Sequence, residues 1–343
     1  MHPRLSPTCI LVLAAVLPAG AQLQFTVTAI GTLGGSYSSA TGINSANTVV
    51  GCSAIPNTVF VHAFRWTRSG GIQDLGTLSG GSTSGANAVN DAGQIVGSSD
   101  LGQGILHAFS WTSAGGMQDL GTLTGSSGQS EAFAINSAGV IAGESLASDG
   151  TSHVVTWTNG VIQDLGALPH FASGYGFAVN DKTQIAGTIL PGNSLTDAFS
   201  WTGSGGFVNI GKLPGGTTAA AYGINSNGAI VGSADVGDKN FTHAILWTAT
   251  VGLQDLGTLT AGGSDQARAI NDRGQVVGID SGSNGIASAF LYTKATLMWN
   301  LNLLIRPGSG WQLQSANAIN NKGFIAATGV FQSVSQAALL TPK

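Results

Sequence analysis

Charged side chains are scarce in this chain. Twelve Lys and Arg stand against 16 Asp and Glu in 343 residues, 8% in all, with a net charge of −4. A disordered polymer needs high net charge and little apolar surface, and a hydrophobic fraction of 43% excludes that class. With no basic surplus, binding to nucleic acid through its phosphates has no electrostatic basis. Cysteine is nearly absent: Cys9 and Cys52 are the two in the chain. Cys9 falls in a leader segment, so Cys52 stands alone afterwards and no internal disulfide is expected. Long apolar runs are missing too. Cys9 to Leu17 is about half of the roughly 20 residues that a spanning helix needs. No window beyond that segment carries a 3.6-residue apolar period, which excludes an amphipathic helical fold.

Catalytic signatures are equally thin. There is no G-x-S-x-G elbow and no Cys–His pair, and the acids mostly occupy repeated slots. Asp100, Asp149, Asp235, Asp238 and Asp280 sit beside Gly and Ser without the D-x-D-x-D-G series of a calcium loop, and read as solvated turn residues.

The amino terminus is a targeting segment. Arg4 supplies a positive n-region, Cys9 to Leu17 an apolar h-region, and Ala19-Gly20-Ala21 an A-x-A cleavage signal. Residues 1–21 are expected to be a secretory signal, leaving 22–343 as a single exported domain, periplasmic or extracellular.

Glycine is abundant, 52 residues, and it falls at fixed places in a repeat. The phrase Gly115-Gly116-Met117-Gln118-Asp119-Leu120-Gly121-Thr122-Leu123 returns along most of the sequence. Its Asp slot is filled by Ala29, Asp74, Asp119, Asp164, Asn209, Asp255 and Asn300, spaced 45, 45, 45, 45, 46 and 45 residues apart. So strict a period means one supersecondary unit copied in series. Three more phrases keep step with it. One ends in an apolar residue and Asn (Asn44, Asn90, Asn136, Asn180, Asn225, Asn271, Asn320). A second is an apolar run closing on a small residue, as in Val49-Val50-Gly51. The third is His-Ala-Phe-x-Trp, as in His62 to Trp66 and His107 to Trp111.

Each phrase is five to eight residues long, rich in β-branched or aromatic positions, and bounded by Gly, Asn, Asp or Ser, the signature of hairpin strands. The unit is therefore four antiparallel strands: A (to the Asn), B (the Val-Val-Gly run), C (His-Ala-Phe) and D (Asp-Leu-Gly). Four strands in about 45 residues is the blade of a β-propeller. Strands A, B and C occur seven times, and the D strand missing after the last set stands at the other end, in Phe25 to Ile30. The expected fold is all-β, a seven-bladed propeller closed by the N-terminal strand joining the last blade, which leaves no open sheet edge.

The His-Ala-Phe-x-Trp and Gly-Gly-x-x-Asp-Leu-Gly-Thr-Leu phrases resemble the HAF family of bacterial extracellular repeat proteins. The resemblance covers nearly everything after Ala21. It implies export and a repeat fold, and it implies no particular activity.

A residue present in every copy builds the blade. The Trp column (Trp66, Trp111, Trp157, Trp201, Trp247, then Tyr292 and Leu340) is expected to pack between blades. The Asp column is expected to accept backbone N–H bonds at the D-to-A crossover or to meet the His of strand C. No metal site and no cofactor are expected, because the His residues stand one blade apart, too far to share an ion. Function belongs where the copies differ. Strand A reads small-x-small, and the middle position varies: Thr41, Asn87, Phe133, Phe177, Tyr222, Arg268, Asn317. Two residues earlier stand Ser39, Gly85, Glu131, Tyr175, Ala220, Gln266 and Ser315.

The candidate ligand site is a patch at the channel mouth made by Glu131, Phe133, Tyr175, Phe177, Tyr222 and Arg268, with His170 in the adjoining loop. Aromatic faces with a few polar groups suit a glycan, a peptide or a small molecule. The leading expectation is a monomeric, non-catalytic binding module. Two alternatives stand beside it: a glycan lyase or hydrolase using the same mouth, and a structural or adhesion protein that binds cell-surface proteins at its rim.

Overall fold

In the computed structural model the described residues are 25–343, apart from 103, 167–170, 192–194, 238–240 and 284. The expected leader (1–21), His170 and Asp238 lie outside them. Seven four-stranded antiparallel sheets form the ring. Blade 3 is typical: its strands A to D are Ser130–Ile135, Ile141–Leu146, Ser152–Thr158 and Val161–Gly166, hydrogen-bonded in that order. The closing blade is composite. Trp311–Ile319, Ile325–Phe331 and Val334–Pro342 supply A, B and C, and Phe25–Gly31 adds the D strand, with Phe25 opposite Pro342 and Val27 opposite Leu340. The N-terminal strand thus closes the ring, as the offset in the repeat requires.

The core lies between blades. Trp111 packs with Ile95 and Phe109 of its own blade against Val50 and Ala63 of the one before. Trp157 does the same against Val96 and Ala108. Trp66 closes the circle against Ala326, Ala337 and Leu339 of blade 7. Burying indole area at five of the seven junctions, with Tyr292 and Leu340 in the same column at the other two, drives the ring shut. Arg65 adds its guanidinium over the Trp111 ring, 5.7 Å from the centroid.

The Asp column plays both expected parts at once. Asp74 lies 2.9 Å from His62 Nδ1, and its Oδ1 accepts the Gly76 backbone N–H at 2.8 Å. Asp119, Asp164 and Asp255 repeat the pair with His107, His153 and His243. The loop acids require a correction. Asp100, Asp235 and Asp280 are buried, 8%, 2% and 1% exposed, and are not solvated turn residues. Asp100 Oδ1 accepts the backbone N–H groups of Ser82 and Thr83, and Asp235 Oδ1 those of Thr217 and Thr218, all at 2.7 Å. Each carboxylate replaces its water shell with the otherwise unpaired donors of the D-to-A crossover. Asp149 is the exposed one.

Candidate functional site

The inner strand of every blade carries the same irregularity. In blade 1, Ala40 is paired with Gly51 and Gly42 with Val50, so Thr41 has no partner across the sheet. The skip recurs between Ala86 and Ala88, Ala132 and Ala134, Ala221 and Gly223, Ala267 and Ala269, and Ala316 and Ala318. In blade 4 it runs from Tyr175 to Ala178. A β-bulge leaves one residue out of the ladder and re-aims its side chain. Here the released residues Thr41, Asn87, Phe133, Phe177, Tyr222, Arg268 and Asn317 line the central channel. Their small neighbours are obligatory. A Cβ on Gly42 would stand 3.0 Å from the Asn87 carbonyl oxygen and 3.1 Å from Ala88 Cα on the next blade. The small-x-small pattern is thus how adjacent inner strands approach while one side chain per blade is sent to the axis.

Above the channel, on the face carrying the D-to-A and B-to-C loops, lies a chamber of about 390 Å³. Glu131, Phe133, Tyr175, Phe177 and Tyr222 all line it, so five of the expected site residues converge. Their rings form an arc over blades 3 to 5: Phe133 to Phe177 is 4.8 Å between centroids, and Phe177 to Tyr222 is 5.9 Å. Tyr175 and Phe177 lie nearly parallel, at 7° and 5.9 Å. Arg268 does not reach the chamber. It sits on the channel wall below, where Phe133, Phe177 and Tyr222 are shared between the two spaces, and its Nη2 donates to Gln266 Oε1 at 3.2 Å.

Strand B supplies what the sequence reading missed. Glu144 faces Glu131 across the A–B pair of blade 3, and Thr188 faces Tyr175 in blade 4. Both line the chamber, with Leu190, Thr196 and Ala220. Glu131 Oε1 is held by the Asn87 side-chain amide at 3.0 Å. Glu144 Oε2 is buried with no partner, and so is Thr188 Oγ1, on a residue only 5% exposed. Burial pushes the Glu144 carboxyl above its ordinary range; the Ser152 hydroxyl offsets part of the rise and the Glu131 charge adds to it. Burial likewise raises the Tyr175 phenol, with the Glu144 charge second.

The void between blades 4 and 5 has a simple origin. At equivalent junctions the fourth residue of strand B meets the second residue of the next strand A: Thr328 bonds Ser39 at 3.0 Å, and Ser98 approaches Glu131 at 3.4 Å. In that register Thr188 meets Ala220, whose methyl offers neither bulk nor a hydrogen bond.

At the opposite end of the channel stands a ring of seven asparagines, Asn44, Asn90, Asn136, Asn180, Asn225, Asn271 and Asn320. Each donates its side-chain N–H to the backbone carbonyl of the next, at 2.9 to 3.2 Å. This end is a structural clamp. Among the described residues no three His, Cys, Asp or Glu side chains gather as a metal cage requires, and no helix is long and apolar enough to cross a membrane.

No family model and no curated protein matches this chain. Solved structures do. Virginiamycin B lyase from Staphylococcus aureus superposes with a TM-score of 0.58 at 11% identity, over 93% of this chain and 99% of that one. A puromycin-hydrolyzing peptidase from Mycobacterium tuberculosis gives 0.59 at 12%, over 94% of this chain and 56% of its own length. TolB from Acinetobacter baumannii gives 0.50 at 11%, over 82% and 76%. Identities this low carry the fold and nothing beyond it: the chain is a seven-bladed β-propeller.

Proposed function

We propose that the protein is an exported binding module that holds a small ligand, a glycan first of all, in the chamber at the upper mouth of its channel. The observation that carries this reading is the pair of unpartnered polar atoms, Glu144 Oε2 and Thr188 Oγ1, on the wall of a chamber ringed by four aromatic side chains. A buried polar atom left without a hydrogen bond costs about 1–3 kcal/mol. Two of them at one cavity suit a surface completed by a ligand. Aromatic faces beside a few converging polar groups are the usual make-up of a small-molecule site. The segment 1–21 and the HAF resemblance support export.

The test is retention of the mature protein on immobilised glycans, compared with the double variant Tyr175→Ala, Tyr222→Ala. The expected result is retention by the parent and loss in the variant, at an unchanged melting temperature. Absence of retention on every glycan overturns the reading. A fall in melting temperature along with binding assigns the rings to the core instead.

Hydrolase or lyase chemistry at the same mouth is the second reading, and the facing Glu131–Glu144 pair favours it. Two carboxyl groups in unlike environments can divide acid and base duties. Release of shorter products during incubation selects it over simple binding.

A further inference from the structure

The charges that the described residues bring to the chamber are of one sign. Among the described residues that line it, Glu131 and Glu144 are the only ionisable groups besides the phenols of Tyr175 and Tyr222, and none is Lys, Arg or His. Arg268, the nearest basic residue named in the channel, is on the wall below and engaged by Gln266. The rest of the wall is π surface from Phe133, Tyr175, Phe177 and Tyr222. Ring faces carry partial negative charge and attract cations, more strongly the drier the site is. Carboxylates and ring faces both repel an anion. A neutral ligand leaves the Glu131–Glu144 pair uncompensated, two facing acids with one oxygen buried and unpaired.

We propose that the chamber recognises a positively charged amine, and specifically the free amine of an amino sugar. An ammonium group has three donors and no acceptor. Glu144 Oε2 is an acceptor waiting for a donor, the Glu131 carboxylate faces it across the strand pair, and Thr188 Oγ1 completes the wall. The rest of the chamber decides what carries the amine. Tyr175 and Phe177 are stacked nearly parallel, so the stack offers an outward ring face as a platform for the face of a pyranose, and Thr188 and Thr196 offer hydroxyls to its hydroxyls. A lysine side chain delivers the same ammonium yet leaves the platform and both threonines unused. A chamber of about 390 Å³ lies at the small end of ligand pockets, the size for a short oligosaccharide end and not for a folded partner.

This inference rests on the reading of the mouth as a glycan site, and the experiment separates the two. Titration calorimetry of the mature protein uses a glucosamine tetramer, the same tetramer fully N-acetylated, and trilysine. The glucosamine tetramer should bind at least tenfold more tightly than its acetylated form, and its affinity should fall as salt is raised. Glu144→Gln, which keeps size and hydrogen-bonding capacity, should remove that preference, while Asp149→Asn, an exposed carboxylate outside the chamber, should leave it. Should Glu144→Gln fail to fold, the salt dependence and the acetylation contrast on the parent protein decide alone. Equal or tighter binding of the acetylated tetramer overturns the amine assignment and leaves the glycan site standing. Tighter binding of trilysine overturns the sugar assignment. No binding of any probe overturns both.

Discussion

The side-chain amide of Asn320 donates to the backbone carbonyl of Asn44 at 2.9 Å, across 276 residues of sequence. It is the seventh of seven such bonds, and it makes the ring continuous: the junction between the last blade and the first carries the same clasp as every other. Asn320 Oδ1 also accepts the backbone N–H groups of Lys322 and Phe324 at 3.0 and 3.1 Å. Asn320→Ala therefore strands two N–H groups and takes one of two donors from the Asn44 carbonyl, which keeps the Asn47 N–H, in a site where the residue is 7% exposed. The expected cost is about 2–4 kcal/mol by urea unfolding. Asn225→Ala, in mid-chain, should cost the same within about 1 kcal/mol, since Asn225 likewise donates to the next carbonyl and accepts two backbone N–H groups, from Asn227 and Ala229. A seam variant that melts in two steps while the mid-chain variant melts in one shows that the closing junction is the weaker.

Blade 6 replaces a serine pair by an acid pair. Where blades 1 to 3 set Ser38 opposite Ser53, Ser84 opposite Ser99 and Ser130 opposite Ser145, it sets Asp265 opposite Asp280, the two 0% and 1% exposed. Burial first, and the Asp280 charge second, push the Asp265 carboxyl up to about 8. An unfolded aspartate releases its proton at about pH 3.9. The folded chain thus keeps a proton that the unfolded chain has lost. The stability tied to it is full below about pH 4 and drains as pH rises through about 8. Asp265→Asn still accepts the Leu259 N–H and removes the titration. Its advantage over the parent should grow between pH 5 and pH 9, to on the order of 1–3 kcal/mol. A difference that stays flat across that range means that Asp265 ionises freely.

The architecture was legible because a repeat states its own boundaries. The 45-residue step gives the blade, and the stray D strand at Phe25 predicts its pairing with Val334–Pro342. Half of the site was legible for the same reason. Comparing copies of strand A isolates Glu131, Phe133, Tyr175, Phe177 and Tyr222. The fourth residue of strand B held as clear a signal: Cys52, Ser98, Glu144, Thr188, Ser233, Ile279 and Thr328, in which one residue alone is charged. The chamber itself was not legible, since it depends on Thr188 meeting Ala220 across a blade junction, and single copies do not state their neighbours' register. Arg268 failed as a chamber residue for a related reason. The repeat fixes its column but not that the aromatic arc ends at Tyr222. Buried Asp100 and Asp235 were misread as solvated because their partners are backbone N–H groups, which sequence composition does not display.

The outer His153–Asp164 pair of blade 3 responds to pH in the same sense as the acid pair of blade 6: both contributions are lost as pH rises. His153 lies 2.9 Å from Asp164 through Nδ1 and 3.5 Å from Asp149 through Nε2. Burial opposes its charge, but the hydrogen bond and charge of Asp164, with Asp149 behind them, outweigh it and raise its pKa. A raised histidine contributes stability that is full below the unfolded value, about 6.5, and lost as pH rises through the folded one. Asp164→Asn should therefore cost more at pH 5.5 than at pH 8.5. The difference should stay below about 1 kcal/mol, because the Asp164 side chain is 41% exposed and water screens the pair. Followed by NMR, the His153 ring should titrate above 6.5 in the parent and shift down in the variant. An unshifted ring, or a cost independent of pH, means that Asp164 serves the crossover N–H of Gly166 (2.7 Å) and the imidazole is carried along with it.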